Sequence, residues 1–260
     1  LELGLTPMAQ TLALLAALRR SAAPLATGSN TGPLVPAPPP LLPAVLPFVG
    51  RSAEVAAMET AWAAGRTVLI EGDAGVGKSR LAIEFAASHG PYALARCRSG
   101  DSELPYAAFS RALRTLMGDA AALDELPDWV RGELARLLPE LGAPPMALTS
   151  SAEHARFLEA CAMAWLRLAG ESFDAVILDD WHHADAASRT LLGLVVQRRH
   201  DSGGAGAREL LIYRDELDAP ARRSMLRVRE DVQAQHLVLQ ALPPDSVLEL
   251  VQRLSGAQCP

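Results

Sequence analysis

One eight-residue segment, GDAGVGKS at Gly72–Ser79, constrains the fold of this chain more than any other feature. It matches the pattern GxxxxGKS and directly follows the short apolar run Thr67–Glu71. A helical pattern, Arg80–Ser88, comes immediately after it. Strand, glycine-rich loop and helix in this order are the context in which the pattern binds phosphate. A chance match in a glycine-rich turn is therefore the disfavoured alternative.

The residue types in this segment, called the phosphate loop below, suit a triphosphate and its metal ion. Glycines let backbone N–H groups turn inward around phosphate oxygens, and the helix N-terminus adds partial positive charge. Lys78 is the only lysine among 24 basic residues, and its compact ammonium is expected to reach the β- and γ-phosphates. Ser79 is expected to offer its hydroxyl to Mg²⁺. The candidate nucleotide-binding residues here are Gly72, Asp73, Ala74, Gly75, Val76, Gly77, Lys78, Ser79 and Arg80.

Short apolar runs separated by helical patterns predict an α/β fold, a P-loop NTPase with a five-stranded parallel sheet flanked by helices. The interval from Arg98 to Phe173 contains no convincing strand, and its prolines break it into several helices. It is therefore a helical insert between strands 2 and 3. The predicted strands are Thr67–Glu71, Tyr92–Cys97, Asp174–Asp179, Glu209–Arg214 and His236–Gln240.

The third strand ends in two acids, Asp179 and Asp180. Ligands gather at the carboxyl ends of parallel strands, so Asp179 is the candidate Mg²⁺ carboxylate. Asp180 is positioned in the sequence to orient or deprotonate an attacking water. A strand that merely ends in a polar turn is the alternative. His182 and His183 follow, but adjacent side chains at a strand end point apart and chelate a metal poorly.

Two further segments are candidates for nucleotide contact. Arg214 closes the fourth strand and is expected to point at the γ-phosphate, with a salt bridge to Asp215 or Glu216 as the equal alternative. Val49, Gly50 and Arg51 precede a helix that Ser52 would cap, and they are placed to fold over the base of the nucleotide. The alternative for that segment is a plain linker-to-helix turn.

Composition excludes several functions. The net charge of −6 and the pI near 5.5 argue against a nucleic-acid-binding surface on this chain. Six prolines interrupt the longest apolar stretch, Leu34–Val49, so no membrane-spanning helix is expected. Three cysteines without a CxxC pair fit a reducing cytoplasm better than a disulfide framework or a zinc site.

The segments FVGR, GDAGVGKS, VILDDWHHAD and LLIYRDE, in this order and spacing, resemble the ATPase module of STAND-type signalling NTPases. The nearest resemblance is to the AAA-like core of large bacterial transcriptional regulators, and it covers Phe48–Leu254. It implies ATP or ADP with Mg²⁺ as cofactors, Val49, Gly50 and Arg51 near adenine, and Arg214 as a sensor. It also implies that the chain after Leu239–Leu242 enters a helical lid.

Two positions depart from the family pattern. Ile212 stands where relatives commonly carry threonine, and Asp180 stands where AAA ATPases place glutamate. Because aspartate is shorter by one methylene, slow hydrolysis is expected. At the other end of the chain, Glu2–Arg19 resembles the last helix of a bacterial transcriptional activator domain.

The expected organisation has four parts: residues 1–22 end an activator-type helical domain, 23–47 form a Pro-rich linker, 48–241 form the ATPase domain, and 242–260 begin the lid. The favoured function is a slowly hydrolysing ATP switch in a transcriptional regulator. It would contact DNA only through domains outside this chain and would self-associate with nucleotide. An AAA motor acting on DNA or protein, and a P-loop small-molecule kinase, are the alternatives. Catalysis would rest on Asp180, Lys78 and Arg214, and the metal on Ser79 and Asp179.

Overall fold

A computed structural model describes residues 47–118, 123, 125–215, 217 and 219–255. The expected activator-type helix at 1–22 lies outside the described residues, as does the linker at 23–47 except for its last position.

The central feature is a parallel sheet in the strand order β2-β3-β4-β1-β5. The predicted α/β architecture is confirmed, and each strand lies within a residue or two of its expected place. All five strands are five or six residues long, a usual length in globular proteins, and helices cover both faces of the sheet. Their bounds are Val68–Gly72 for β1, Tyr92–Arg96 for β2, Ala175–Asp179 for β3, Arg208–Tyr213 for β4 and Gln235–Leu239 for β5.

Eight α-helices surround the sheet in the described part of the chain. The interval between β2 and β3 contains helices and turns but no described strand, which confirms the helical insert. The helices are Ser52–Ala63 (α1), Lys78–His89 (α2), Ala107–Met117 (α3), Asp128–Leu134 (α4), Ser151–Ser172 (α5), Ala186–Asp201 (α6), Ala219–Asp231 (α7) and Pro244–Ser255 (α8).

The apolar core has two layers because side chains alternate across each strand. On one face, Val68 and Ile70 of β1 pack with Leu81 and Phe85 of α2. On the other face, Leu69 belongs to the larger cluster, which contains most of the insert and α6. Helices therefore cover both faces of the sheet, and no described helix is long and apolar enough to cross a membrane.

Helix starts follow local sequence chemistry in two places and depart from it in a third. Ser150 and Glu153 form a reciprocal capping box at α5, and Asp185 caps α6 by accepting from the Ser188 N–H. The expectation that Ser52 caps α1 is wrong. Ser52 is the first helical residue, and Arg51 occupies the cap position without a side-chain cap bond.

A buried ion pair lies near the amino ends of the central strands. Arg199 at the end of α6 donates through Nε to Glu209 of β4 at 2.9 Å, and through Nη2 to the hydroxyl of Thr67 at 2.9 Å. Its Nη1 donates to the backbone oxygens of Gly65 and Gly204. This network ties α6 to β4 and to the segment before β1, at the edge opposite the phosphate loop. The candidate functional site lies at the other edge of the sheet, where the strands have their carboxyl ends.

Candidate functional site

The phosphate loop joins β1 to α2, as the sequence predicts. Gly72 adopts φ +153°, and a Cβ there would lie 2.7 Å from the backbone oxygen of Leu239, so only glycine fits beside β5. Gly75 and Gly77 have φ values of +77° and +100°, and a Cβ on either would meet no atom within 4 Å. The loop is therefore held tightly at its root and is open at its tip, which is the shape required to admit phosphate oxygens.

Lys78 is buried at the start of α2. Its Nζ donates to the backbone oxygens of Gly72 at 2.8 Å and Asp73 at 2.7 Å. An ammonium has three donors, so these two bonds aim the group across the loop and leave one donor for another acceptor.

The electrostatic surroundings of Lys78 favour an incoming anion. Burial lowers the pKa of its ammonium below the ordinary value, and the positive charge of Arg214 acts in the same direction. The carboxylates of Asp180, Asp179 and Asp73 oppose this shift without cancelling it. A phosphate group near Lys78 would relieve the desolvation and the cation repulsion together.

The expected metal ligands meet in the structure. The hydroxyl of Ser79 donates to Oδ1 of Asp179 at 3.0 Å, although the two residues are 100 positions apart in the chain. The Asp179 side chain is only 3% exposed. A hydroxyl and a carboxylate at the edge of an open phosphate loop form the hard oxygen donor set that Mg²⁺ takes together with phosphate oxygens. The residues present fit that ion.

A residue that the sequence analysis missed contacts the same carboxylate. Arg96, the last residue of β2, donates through Nε to Oδ2 of Asp179 at 3.1 Å, and its Nη2 forms an ion pair with the same oxygen at 3.1 Å. The two residues are register partners in the parallel pair β2–β3. Both end their strands in the structure, but the predicted second strand ended at Cys97, so aligning the predicted carboxyl ends would have paired Asp179 with Cys97 and missed Arg96.

Asp180 occupies a turn that holds it at the sheet edge. It has φ +55°, in the left-handed region, and its N–H donates to Oδ1 of Asp179 at 2.9 Å. A 3₁₀ turn over Trp181–His183 follows, with Trp181 buried. The backbone thus reverses immediately after β3 and keeps the Asp180 carboxylate close enough to Lys78 to affect its pKa.

The histidine pair differs from expectation. Because the 3₁₀ turn replaces an extended strand end, His182 and His183 face each other with ring centroids 4.0 Å apart. Burial lowers the pKa of His182, and the neighbouring His183 adds to the effect. The Nδ1 atom of His182 is buried and has no hydrogen-bond partner in the described structure. No group of three or more His, Cys, Asp or Glu among the described residues is arranged to hold a metal ion.

Arg214 directly follows β4. The alternative ion pair with Asp215 is not formed, and Asp215 instead faces Arg222 at 3.7 Å. The other alternative partner, Glu216, lies outside the described residues. Within the described ranges, Arg214 makes no hydrogen bond or ion pair, and its charge acts on both Lys78 and His182. The guanidinium is thus near the open phosphate loop and available to an anion.

The segment before α1 is built into the site through its arginine. Arg51 is buried and donates through Nη2 to the backbone oxygens of Val76 at 2.9 Å and Gln240 at 2.8 Å. Its Nη1 contacts Glu54 at 2.8 Å. The Arg51 guanidinium therefore joins the phosphate loop to the exit of β5.

The neighbouring candidates have simpler surroundings. Gly50 has φ +68°, and a Cβ there would lie 2.3 Å from the hydroxyl of Ser246 in α8. Val49 is buried. Arg80, the third residue of α2, pairs with Glu84 at 2.8 Å on the helix surface. Gly50 thus brings the segment against the start of α8.

The match to a known protein family agrees with this geometry. The family model described as "AAA ATPase domain" matches residues 47–212, more than half of the chain. Among solved structures, the chain is similar to the Walker-type ATPase PABY2304 of Pyrococcus abyssi, with 18% sequence identity and a TM-score of 0.46. That similarity covers 81% of this chain and 59% of the archaeal chain. No curated protein matches the sequence.

Proposed function

Because the chain belongs to the AAA ATPase domain family, and so to the P-loop ATPases that bind and hydrolyse ATP, we propose that it is the nucleotide switch of a STAND-type bacterial transcriptional regulator. The observation that carries the proposal is the convergence of Lys78, Ser79 and Asp179 on one open loop. Arg51 then connects that loop to the segment leading into α8.

In the proposed site, each residue has one role. Lys78 contacts the β- and γ-phosphates, and the N–H groups of the phosphate loop surround their oxygens. Ser79 and Asp179 hold Mg²⁺, which neutralises charge on the phosphate oxygens when it is bound. The backbone at Val49 and Gly50 lies against the base. Arg214 contacts the γ-phosphate and reports its presence.

Hydrolysis in this arrangement needs a base for one proton. The oxygen of a water molecule forms a bond to the γ-phosphorus while the bond from that phosphorus to the β–γ bridging oxygen breaks. The proton of the water passes to the Asp180 carboxylate, and ADP and inorganic phosphate are the products. A one-methylene-shorter base reaches less far, so turnover is slow and the nucleotide state persists.

A long-lived nucleotide state suits a switch, because the phosphate loop is linked through Arg51 to the segment before α8. A nucleotide that repositions Val76 also moves the acceptor of the Arg51 guanidinium, which holds Gln240 at 2.8 Å. Gln240 precedes α8, so ATP and ADP favour different placements of that helix. Residues 242–260 act as the start of a lid in this scheme, and residues 48–241 as the ATPase domain.

The proposal extends to the parts of the regulator outside the ATPase domain. Residues 1–22 end an activator-type domain and 23–47 link it to the ATPase. The protein acts in the cytoplasm, reaches DNA only through domains outside this chain, and self-associates in a nucleotide-dependent way. The acidic net charge of −6 supports this division of labour, because a DNA-tracking motor would carry a basic surface.

Calorimetry of ATP binding in magnesium buffer tests the central claim. Lys78→Met keeps the volume of the side chain and removes its charge, so affinity should fall about 10- to 100-fold, the worth of one charge-assisted hydrogen bond. Arg167→Met, on the insert surface, is the matched control and should bind like wild type. Equal affinity in the Lys78 variant would refute the site.

Turnover separates the switch from a motor. ATPase rates should be low and insensitive to added double-stranded DNA. Strong stimulation by DNA would replace the switch with a motor function.

A further inference from the structure

Both carboxylate oxygens of Asp179 accept hydrogen bonds in this structure. Its Oδ1 accepts from the Ser79 hydroxyl at 3.0 Å and from the Asp180 N–H at 2.9 Å. Its Oδ2 accepts from Nε of Arg96 at 3.1 Å, and Nη2 of the same guanidinium forms an ion pair with that oxygen at 3.1 Å. Three hydrogen bonds and an ion pair therefore engage a carboxylate that a metal ion would also need.

The two partners of this ion pair differ sharply in burial. The Asp179 side chain is 3% exposed and is fixed by backbone and hydroxyl donors, whereas the Arg96 side chain is 60% exposed. A buried carboxylate needs a counter-charge, but a guanidinium open to water can leave at little cost. Arg96 is thus the displaceable member of the pair.

We propose that Arg96 is a resident counter-ion that competes with Mg²⁺ for Asp179, so that metal binds well only when a nucleotide adds its own oxygen ligands. This inference rests on the proposed role of Asp179 as a metal ligand. Arg96 acts through Asp179 and is therefore a positioning residue. By linkage, Mg²⁺ and nucleotide each strengthen the binding of the other by the same factor.

The register of β2 on β3 explains why Arg96 is the residue that pairs with Asp179. Arg96 and Asp179 are paired Cα partners at the ends of adjacent parallel strands, so their side chains leave the sheet on the same face. The fork of the guanidinium brings both Nε and Nη2 within 3.1 Å of one carboxylate oxygen. A lysine at this position would carry the same charge without the fork.

The experiment is a Mg²⁺ titration of the binding of a fluorescent, non-hydrolysable ATP analogue to the full chain. Arg96→Ala should lower the Mg²⁺ concentration at half-saturation about two- to five-fold, the equilibrium factor of a pair with one exposed partner. Affinity for the analogue in EDTA should stay unchanged. Arg96→Lys should give an intermediate half-saturation.

The control is Arg98→Ala, which removes an exposed cation two residues further along that has no contact with Asp179 in the described structure. An Arg96→Ala titration that overlays the Arg98→Ala titration would overturn the inference. Weaker binding of the Mg²⁺-bound analogue would also overturn it, by making Arg96 a phosphate ligand. If wild type shows no Mg²⁺ dependence, the metal role of Asp179 fails instead, so the two failures are distinguishable.

Discussion

The buried Arg199–Glu209 pair offers a direct measure of what holds the layers of this domain together. Both side chains are almost fully buried, at 3% and 1% exposure. Replacing Arg199 with methionine would leave the Glu209 carboxylate buried without its cation. It would also remove the donors to the Thr67 hydroxyl and to the Gly65 and Gly204 carbonyls.

The expected loss follows from the cost of an uncompensated buried charge. Breaking such a pair from one side lowers the free energy of unfolding by about 3–5 kcal/mol. For a domain of this size, each kcal/mol shifts the melting temperature by about 2–4 °C, so Arg199→Met should melt roughly 6–20 °C below wild type. Removing both charges in Arg199→Met/Glu209→Leu should cost less than the sum of the two single changes, because no bare charge remains.

Thermal unfolding followed by circular dichroism measures this difference. Arg167→Met breaks only exposed ion pairs, with Glu125 and Glu171, and should melt close to wild type. The network is at the amino edge of the sheet, so ATP affinity below the melting transition should match wild type. An Arg199→Met protein that melts within about 2 °C of wild type would refute the reasoning.

The remaining predictions concern a thiol and a glycine. Burial raises the pKa of the Cys97 thiol to about 12, so at pH 8 roughly one thiol in ten thousand is ionised. In a Cys259→Ser background, iodoacetamide should label neither Cys97 nor Cys161 until denaturant is added, and mass spectrometry that finds rapid native labelling would contradict their burial. Gly72→Ala should lower stability by about 1–3 kcal/mol, because the new Cβ meets the Leu239 oxygen. Gly100→Ala, in open space, should be neutral, and melting temperatures compare the two.

The sheet and the phosphate loop were predictable because their causes are local. A strand buried on both faces is a short continuous apolar run, as at Val176–Leu178, and five such runs separated by helical patterns leave few topologies. The loop requires glycines and a lysine at fixed spacing. Asp185 likewise caps α6 by accepting a hydrogen bond from Ser188, only three positions further along the chain.

The contacts that the sequence did not predict join residues that are far apart along the chain. The Arg96–Asp179 pair spans 83 residues and requires the register of β2 on β3, which apolar runs do not determine. The bond from Arg51 to Gln240 spans 189 residues. The prediction that His182 and His183 point apart was wrong for a different reason. The left-handed backbone at Asp180 turns the chain where an extended strand end was assumed.

The position of Arg51 has a consequence for how small this domain can be made. Its guanidinium binds one carbonyl in the phosphate loop and another just past the last strand, so the two extremities of the folded unit meet at one side chain. A fragment trimmed to begin at residue 52 would retain every strand and both apolar layers, yet would leave the oxygens of Val76 and Gln240 without that donor. The minimal self-sufficient piece therefore starts ahead of its first helix and continues beyond its final strand.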